Sequence, residues 1–410
     1  MSRRSMRGLA LVLFSVFVGL AFSARAQEVN GIYTEAATKD LGELSGNDSL
    51  KGIKFRGWLE GYYVWNQNDV RASVANANQG FSAIKARDLT IEGRAFDVHA
   101  NRPTINLIEL EVEKVPNRGR FGFKVDLAGG DTQKIIFDTI KAVSPDSLSN
   151  AEENIQHASL SYLAPIGTGL RVDVGKFVTH IGGETIESIK NRNFSHAFFY
   201  TYAIPFQDTG VRLNYAFNSK VYGELYILKG WNVTKDNNDG KTVGLSLGWT
   251  PSPKFSLYAN YMGGPEQNNN DDNLRHLIDL QAIFLSSPTL QTMVNVDVAT
   301  DENALGSGED ARWGGVALTL RKTIGDHFFP TVRAEYYNDQ DGFTTGVGQR
   351  LWGTTFTADY RIGGAKSFTK VLIRPEIRYD RSSETFFSRK SDFRSERDQL
   401  TAGVGLVLYF

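Results

Sequence analysis

From residue 53 to the C-terminus, apolar and polar side chains alternate with a period of two, the spacing of a strand that is apolar on one face and polar on the other. The last segment is the clearest. Leu400, Ala402, Val404, Leu406, Leu408 and Phe410 share one face, and Thr401, Gly403, Gly405, Val407 and Tyr409 share the other. Residues 370–380 sort in the same way with ions: Val371, Ile373, Pro375, Ile377 and Tyr379 lie on one side, and Lys370, Arg374, Glu376, Arg378 and Asp380 on the other. Helical periodicity is confined to 131–150 and 183–192, both in connections.

The pattern predicts about sixteen strands, running from 53–66, 104–115 and 119–128 through to 366–381 and 396–410. Their connections alternate strictly. Short turns such as 116–118, 165–167, 251–252 and 363–365 are followed by long polar loops at 67–103, 129–153, 179–207, 232–240, 263–272, 299–311, 339–349 and 382–395. An all-β, antiparallel, up-and-down transmembrane barrel requires this alternation, with short periplasmic turns, long outer loops and both chain ends on the periplasmic side. A charge facing the lipid midplane costs roughly 2–4 kcal/mol, so the ionic face must line the lumen. The inward set holds Arg56, Lys124, Arg171, Arg212, Arg275, Arg321, Arg333, Arg361, Lys370, Arg374 and Arg378, with acidic residues that include Glu60, Glu109, Glu111, Asp126, Asp173, Asp297, Glu335, Asp359 and Glu376. Sixteen strands enclose a lumen too wide for strand side chains alone to fill, which implies an aqueous channel. Rings at segment ends on the lipid face, among them Tyr63, Trp65, Trp231, Trp249, Trp352, Tyr360 and Tyr379, suit the membrane–water interface.

The N-terminus reads differently. Arg3, Arg4 and Arg7 precede a small-or-apolar run from Gly8 to Ala24, and Ala24-Arg25-Ala26 offers a cleavage site before Gln27. Residues 1–26 are therefore expected to be a secretory signal peptide for passage through the inner membrane, 27–52 a periplasmic segment, and 53–410 the barrel. Composition agrees: 48 aromatic rings (6 Trp, 16 Tyr, 26 Phe) and 40 Gly sit in a chain whose mean hydropathy is -0.29 because lipid-facing and water-facing positions interleave. With 45 basic and 46 acidic residues the net charge is -1, which argues against nucleic acid as a partner. The absence of cysteine excludes disulfides, thiolate metal sites and cysteine nucleophiles.

Catalytic and metal chemistry find little footing. His99, His157, His180, His196, His276 and His327 fall in different segments without paired metal-ligand spacing, and Ser195-His196 is the one place where a Ser/His hydrolase could be sought. Neighbours in sequence point apart, so no catalytic residue, metal or cofactor is expected. Two further readings follow from inward Tyr62, Tyr222, Tyr226, Tyr258 and Tyr337, a possible sugar track, and from acidic runs at 268–273 and 301–310, which suit divalent cations shared with lipopolysaccharide.

Two stretches carry a family resemblance. Leu406-Val407-Leu408-Tyr409-Phe410 looks like the C-terminal assembly signature of Gram-negative outer-membrane barrels, which implies that Phe410 is read by the barrel assembly machinery. Residues 174–179, Gly182-Gly183-Glu184, Asn193-Phe194-Ser195 and Ala203-Ile204-Pro205-Phe206-Gln207-Asp208-Thr209-Gly210 resemble the OmpL-like β-barrel porin-2 family. The resemblance implies a passive outer-membrane porin for small hydrophilic solutes and ions, embedded among outer-membrane lipid and lipopolysaccharide, and a homotrimer if it follows the general-porin architecture. A substrate-selective sugar or anion porin, or a structural or adhesion barrel, are the alternatives. In general porins the third outer loop folds into the lumen; here that loop is 179–207. Glu184, Glu187, Asn191 and Asn193 on the loop would then face a basic wall of Arg321, Arg333, Arg374 and Arg378 across a narrow water-filled gap, with Arg212 also in the lumen, creating a transverse field. Balanced inward charge predicts weak ion selectivity.

Overall fold

The computed structural model of the chain describes residues 39–40, 50–70, 89–143, 152–306, 308–363, 369–390 and 392–410. Sixteen strands lie side by side in sequence order, each antiparallel to the next, and the last pairs with the first to close the sheet. They are β1 (Ile53–Asn66), β2 (Thr104–Lys114), β3 (Phe121–Gly129), β4 (Ile155–Ala164), β5 (Leu170–Val178), β6 (Gln207–Ala216), β7 (Val221–Leu228) and β8 (Thr242–Ser252) in the first half. The second half comprises β9 (Phe255–Pro265), β10 (Leu274–Ser287), β11 (Leu290–Asp301), β12 (Ala311–Lys322), β13 (Phe328–Asp339), β14 (Gln349–Ile362), β15 (Lys370–Ser382) and β16 (Asp398–Tyr409). Among the described residues no helix is long and apolar enough to cross a membrane; the strands make the crossing. Closure matters because an unpaired sheet edge in hydrocarbon would leave each backbone N–H and C=O without a partner.

The seam between β16 and β1 pairs Val404 with Tyr63 and Leu408 with Leu59. Beyond Tyr409 the Phe410 amide donates to the Gly57 carbonyl at 3.0 Å, and the Gly57 amide donates back at 3.2 Å. A Cβ at 57 would stand 2.4 Å from the Phe410 ring, so any side chain there must push that ring aside. Phe410 thus extends the closing ladder and rests against Phe55, with ring centroids 6.0 Å apart.

Parity holds around the wall. Leu160, Val174, Ile278, Val298 and Leu406 on the lipid face are exposed, whereas Arg321, Arg333, Arg374 and Arg378 on the other face are buried inside. Trp65, Trp249, Trp352, Tyr360 and Tyr379 also remain on the outside. Trp231 departs from the expectation: it is buried in the fourth outer loop, with the Arg275 guanidinium 5.1 Å from its ring, because the chain leaves the strand after Leu228 and turns inward. In the connections, helix α1 (Asp131–Val143) forms where helical periodicity predicts one, and 183–192 supplies only the single 3-10 turn Ser188–Lys190. Helix α2 (Phe198–Tyr202) is five residues that periodicity cannot reveal. The expected signal peptide lies outside the described residues. Of the expected periplasmic segment, Lys39–Asp40 pairs beside Phe55 and Lys54 on β1.

Candidate functional site: the lumen and its third loop

The first three outer loops contribute most of what turns into the barrel, joined by Trp231 of loop 4 and Phe386 and Phe387 of loop 8. Residues 89–100 of loop 1, the apolar side of α1 in loop 2 (Ile135, Ile136, Ile140) and nearly all of loop 3 (179–206) are buried. They meet in one apolar cluster with Trp313, Tyr337 and Leu277 from the wall. Loop 3 brings Phe194, Phe198, Phe199, Tyr200, Tyr202 and Phe206 into this interior, and none is more than 5% exposed. Fully burying one such side chain is worth about 1.5–3 kcal/mol, a gain that a solvated cap would forgo. The lumen that strand side chains cannot fill is therefore largely occupied by inserted loops.

How loop 3 is held follows from an old constraint: buried backbone groups need partners. Its N–H groups go to carboxylates of the wall. Glu60 on β1 accepts from Ile189 at 3.1 Å, Glu335 on β13 from Phe198 at 2.6 Å, and Glu376 on β15 from Phe194 at 2.8 Å and Ser195 at 3.2 Å. Its carbonyls go to wall arginines. Arg321 donates to Arg192 O at 3.3 Å, Arg333 to Ser195 O at 2.8 Å, Arg378 to His196 O at 2.5 Å, and Arg374 to Asn191 O at 3.0 Å and also to Ser188 O. Gly405 on β16 completes the seat, because a Cβ there would lie 2.4 Å from the Phe194 ring.

Of the loop side chains expected to face the basic wall, Glu184 touches it directly, whereas Glu187, Asn191 and Asn193 find other partners. Glu184 Oε1 lies 2.7 Å from Arg333 Nη1, and its other oxygen accepts the Ala197 amide at 2.8 Å. Glu187 sits 3.2 Å from Lys190 and accepts from Gln156 at 2.8 Å. Burial pushes the Glu187 carboxyl up more than any single neighbour pulls it down, but the Lys190 ammonium, a backbone hydrogen bond and Lys124 together hold the group below the usual carboxylate range. Asn191 folds the loop on itself, donating to Thr185 O at 2.7 Å and accepting from Thr185 N at 2.8 Å, while Asn193 donates to Thr357 at 2.7 Å. A guanidinium out of water is costly unless paired, so the two charged surfaces close on each other and the gap disappears.

Arg212 stands apart from this contact. On the β5–β7 wall, Arg171 and Arg212 both pair with Asp173 at 2.8 Å, and Asn214 donates to Glu224 at 2.6 Å. Side-chain exposure separates the two walls: 22% for Arg212 and 12% for Arg171, against 1% or less for Arg321, Arg333, Arg374 and Arg378. Arg56 and Glu113, at the periplasmic ends of β1 and β2, keep 17% and 15%. These charged lumen residues keep partial exposure, while the arginines that hold the loop do not.

The other candidates resolve into packing. Tyr222 and Tyr258 lie in a buried cluster with Ile283 and Met293, and Tyr62, Tyr226 and Tyr337 are equally enclosed. Ser195 Oγ accepts from Arg378 at 3.2 Å, while His196 turns to Thr185 O at 2.7 Å and lies tilted by 33° against Tyr200, ring centroids 4.4 Å apart. Burial draws the His196 imidazole below the ordinary histidine range. The insertion of loop 1 and α1 has a signal in the sequence that strand periodicity does not weigh: Leu89, Ile91, Phe96, Val98, Ile135 and Ile136 are too apolar for a solvated outer loop.

Comparison with known proteins places this architecture. The family described as beta-barrel porin-2, OmpL-like, matches residues 52–410. No curated protein sequence matches the chain. Among solved structures, the chain is similar to the outer membrane channel DcaP of Acinetobacter baumannii, with a TM-score of 0.52 and 10% identity, covering 93% of this chain and 99% of that one. It is likewise similar to an anion-selective porin from Comamonas acidovorans (TM-score 0.55, 10% identity, 87% of this chain and 99% of that one). Pseudomonas putida OprB is a third neighbour, at TM-score 0.53 and 9% identity over 90% of this chain and 97% of that one. At these identities the likeness is one of fold, while the family match spans the whole barrel. The chain belongs to the OmpL-like β-barrel porin-2 family and is an outer-membrane channel.

Proposed function

We propose that the channel passes small hydrophilic solutes and ions by passive diffusion, that loop 3 sets its constriction, and that the water path follows the β5–β7 wall past Arg171, Arg212, Asn214 and Glu224. The exposure contrast between Arg212 and the four anchoring arginines carries this reading. The path holds both signs of charge, with Arg56, Arg171 and Arg212 outweighing the accessible carboxylates by a small margin. Selectivity is therefore weak and leans toward anions. The chemistry along the path binds and orients; no side chain there is arranged as a nucleophile with its base, and we take the protein to be a channel without catalytic activity. Export by the 1–26 signal, insertion through the terminal Phe410 and assembly as a homotrimer belong to the same proposal, the last tested by light scattering of the detergent-solubilised protein.

Planar-bilayer recording of the purified protein tests the path. Discrete ohmic steps with a small anion preference are expected, and Arg212→Glu is expected to turn that preference toward cations. Silent bilayers, or a permeability ratio indifferent to Arg212→Glu, would place the path elsewhere.

A further inference from the structure

The lipid-facing surface changes character at its outer rim between β4 and β7. Leu160, Val174 and Ile227 are exposed apolar residues on that face of β4, β5 and β7. Two residues farther toward the long loops, the same face carries Ala158, Lys176, Thr209 and, just past β7, Lys229, in register across the strands. Together with Glu152, Lys235 and Asp236 from loops 2 and 4 they line a cavity of about 540 Å³ on the outside of the wall. A charged residue on the lipid face is tolerated near the interface far better than at the midplane, so Lys176 and Lys229 in this row mark the boundary between hydrocarbon and head groups.

We propose that this cavity binds the phosphorylated head group of a lipid in the outer leaflet. The inference rests on the outer-membrane placement of the barrel, and three observations carry it. The first is charge: three ammonium groups line the cavity against two carboxylates, and Asp236 is already paired with Lys241 at 2.6 Å. The second is donor capacity. Lys176 donates to Ile155 O at 2.6 Å and Lys229 to Thr234 O at 2.8 Å, and an ammonium has three donors, so each lysine is oriented by the protein while keeping N–H groups for a ligand. The third is position, one step above the last apolar row, where the phosphates of a packed lipid lie. A phosphate oxygen cluster is the acceptor that suits converging ammonium donors at such a boundary.

The test uses the full mature chain in zwitterionic micelles, titrated in parallel with bis-phosphorylated lipid A, dephosphorylated lipid A and inorganic phosphate, with bound ligand counted by native mass spectrometry. Retention of the bis-phosphorylated lipid and loss of the dephosphorylated one is the expected result. Lys229→Gln with Lys235→Gln should weaken binding by roughly 25-fold, at about five-fold per lysine near a charged surface, while Lys229→Arg retains it. Equal binding of the dephosphorylated lipid, comparable affinity for free phosphate, or indifference to the double glutamine variant would each overturn the proposal. The three lysines lie outside the lumen, so the variant's single-channel conductance should equal that of the unmodified protein. A protein that binds the lipid but does not conduct would instead overturn the permeation reading.

Discussion

Arg374→Met removes the side chain that holds the middle of loop 3. In the native barrel Arg374 donates to Ser188 O and, at 3.0 Å, to Asn191 O, while Asp359 engages the same guanidinium at 2.8 and 3.0 Å. Hydrogen bonds from charged donors contribute about 1.5–3 kcal/mol each, so the two to the loop are worth at least about 3 kcal/mol. Methionine fills the space of the stem and donates nothing; Asp359 keeps Arg321 at 3.4 Å. At 1.4 kcal/mol per decade, the loss multiplies the undocked population of 188–191 about 150-fold. The chain has no cysteine, so Ser188→Cys introduces a single reporter, and the exchange of a hydroxyl for a thiol changes the side chain little in size. The rate of labelling by a membrane-impermeant maleimide in proteoliposomes then follows the undocked fraction. Arg374→Met in this background should label about two orders of magnitude faster, and Arg374→Lys, with its charge but a single-point donor, should fall between. Equal rates in all three would refute the idea that wall arginines hold the loop through its backbone.

Other perturbations probe separate parts of the account. Glu376→Ala deletes the acceptor for the Phe194 and Ser195 amides and should lower the temperature at which the barrel unfolds in detergent, with Glu376→Gln milder because its carbonyl still accepts. Gly405→Ala would drive a methyl into the Phe194 ring and should destabilise by about 1–3 kcal/mol, read as faster Ser188→Cys labelling; the smaller side chain of Phe194→Leu should relieve it. His196 is held neutral by burial, so the docked loop binds fewer protons than a released one; docking is strongest above the ordinary histidine range near 6.5 and weakens as pH falls below it. Labelling of Ser188→Cys, divided at each pH by the rate for a freely exposed reference thiol because only the thiolate reacts, should accordingly rise between pH 7.5 and 5, and the part of that rise due to His196 should vanish in His196→Gln. Gly57→Ala, which sets a methyl against the Phe410 ring, should slow barrel closure during refolding into detergent or lipid, measured by the gel shift between unfolded and folded forms.

The wall of this barrel is written locally. A strand that meets lipid on one face and a lumen on the other declares itself every two residues, and Leu400 through Phe410 or Lys370 through Asp380 can be read without knowledge of the partner strand. Closure, antiparallel order and the inward placement of Arg212, Arg321, Arg333, Arg374 and Arg378 follow from that parity. What these arginines do does not. Their partners are the carbonyls of Ser188, Asn191, Arg192, Ser195 and His196, and a backbone carbonyl has no residue-specific signature, so charge complementarity between Glu184 or Glu187 and a basic wall was the visible clue to a contact made mostly by the main chain. The same limit explains Trp231. Parity assigns it to the lipid face, but the strand ends at Leu228 and long-range packing against Arg275 decides where the ring goes.

On the proposed reading, loop 3 docked on the arginine wall sets the constriction of a lumen that loops 1 and 2 also enter. Deleting residues 182–195 and recording single channels in planar bilayers tests it most directly. Larger conductance steps with weaker ion preference than in the intact protein are expected. Steps of unchanged size from a correctly folded deletion variant would contradict it.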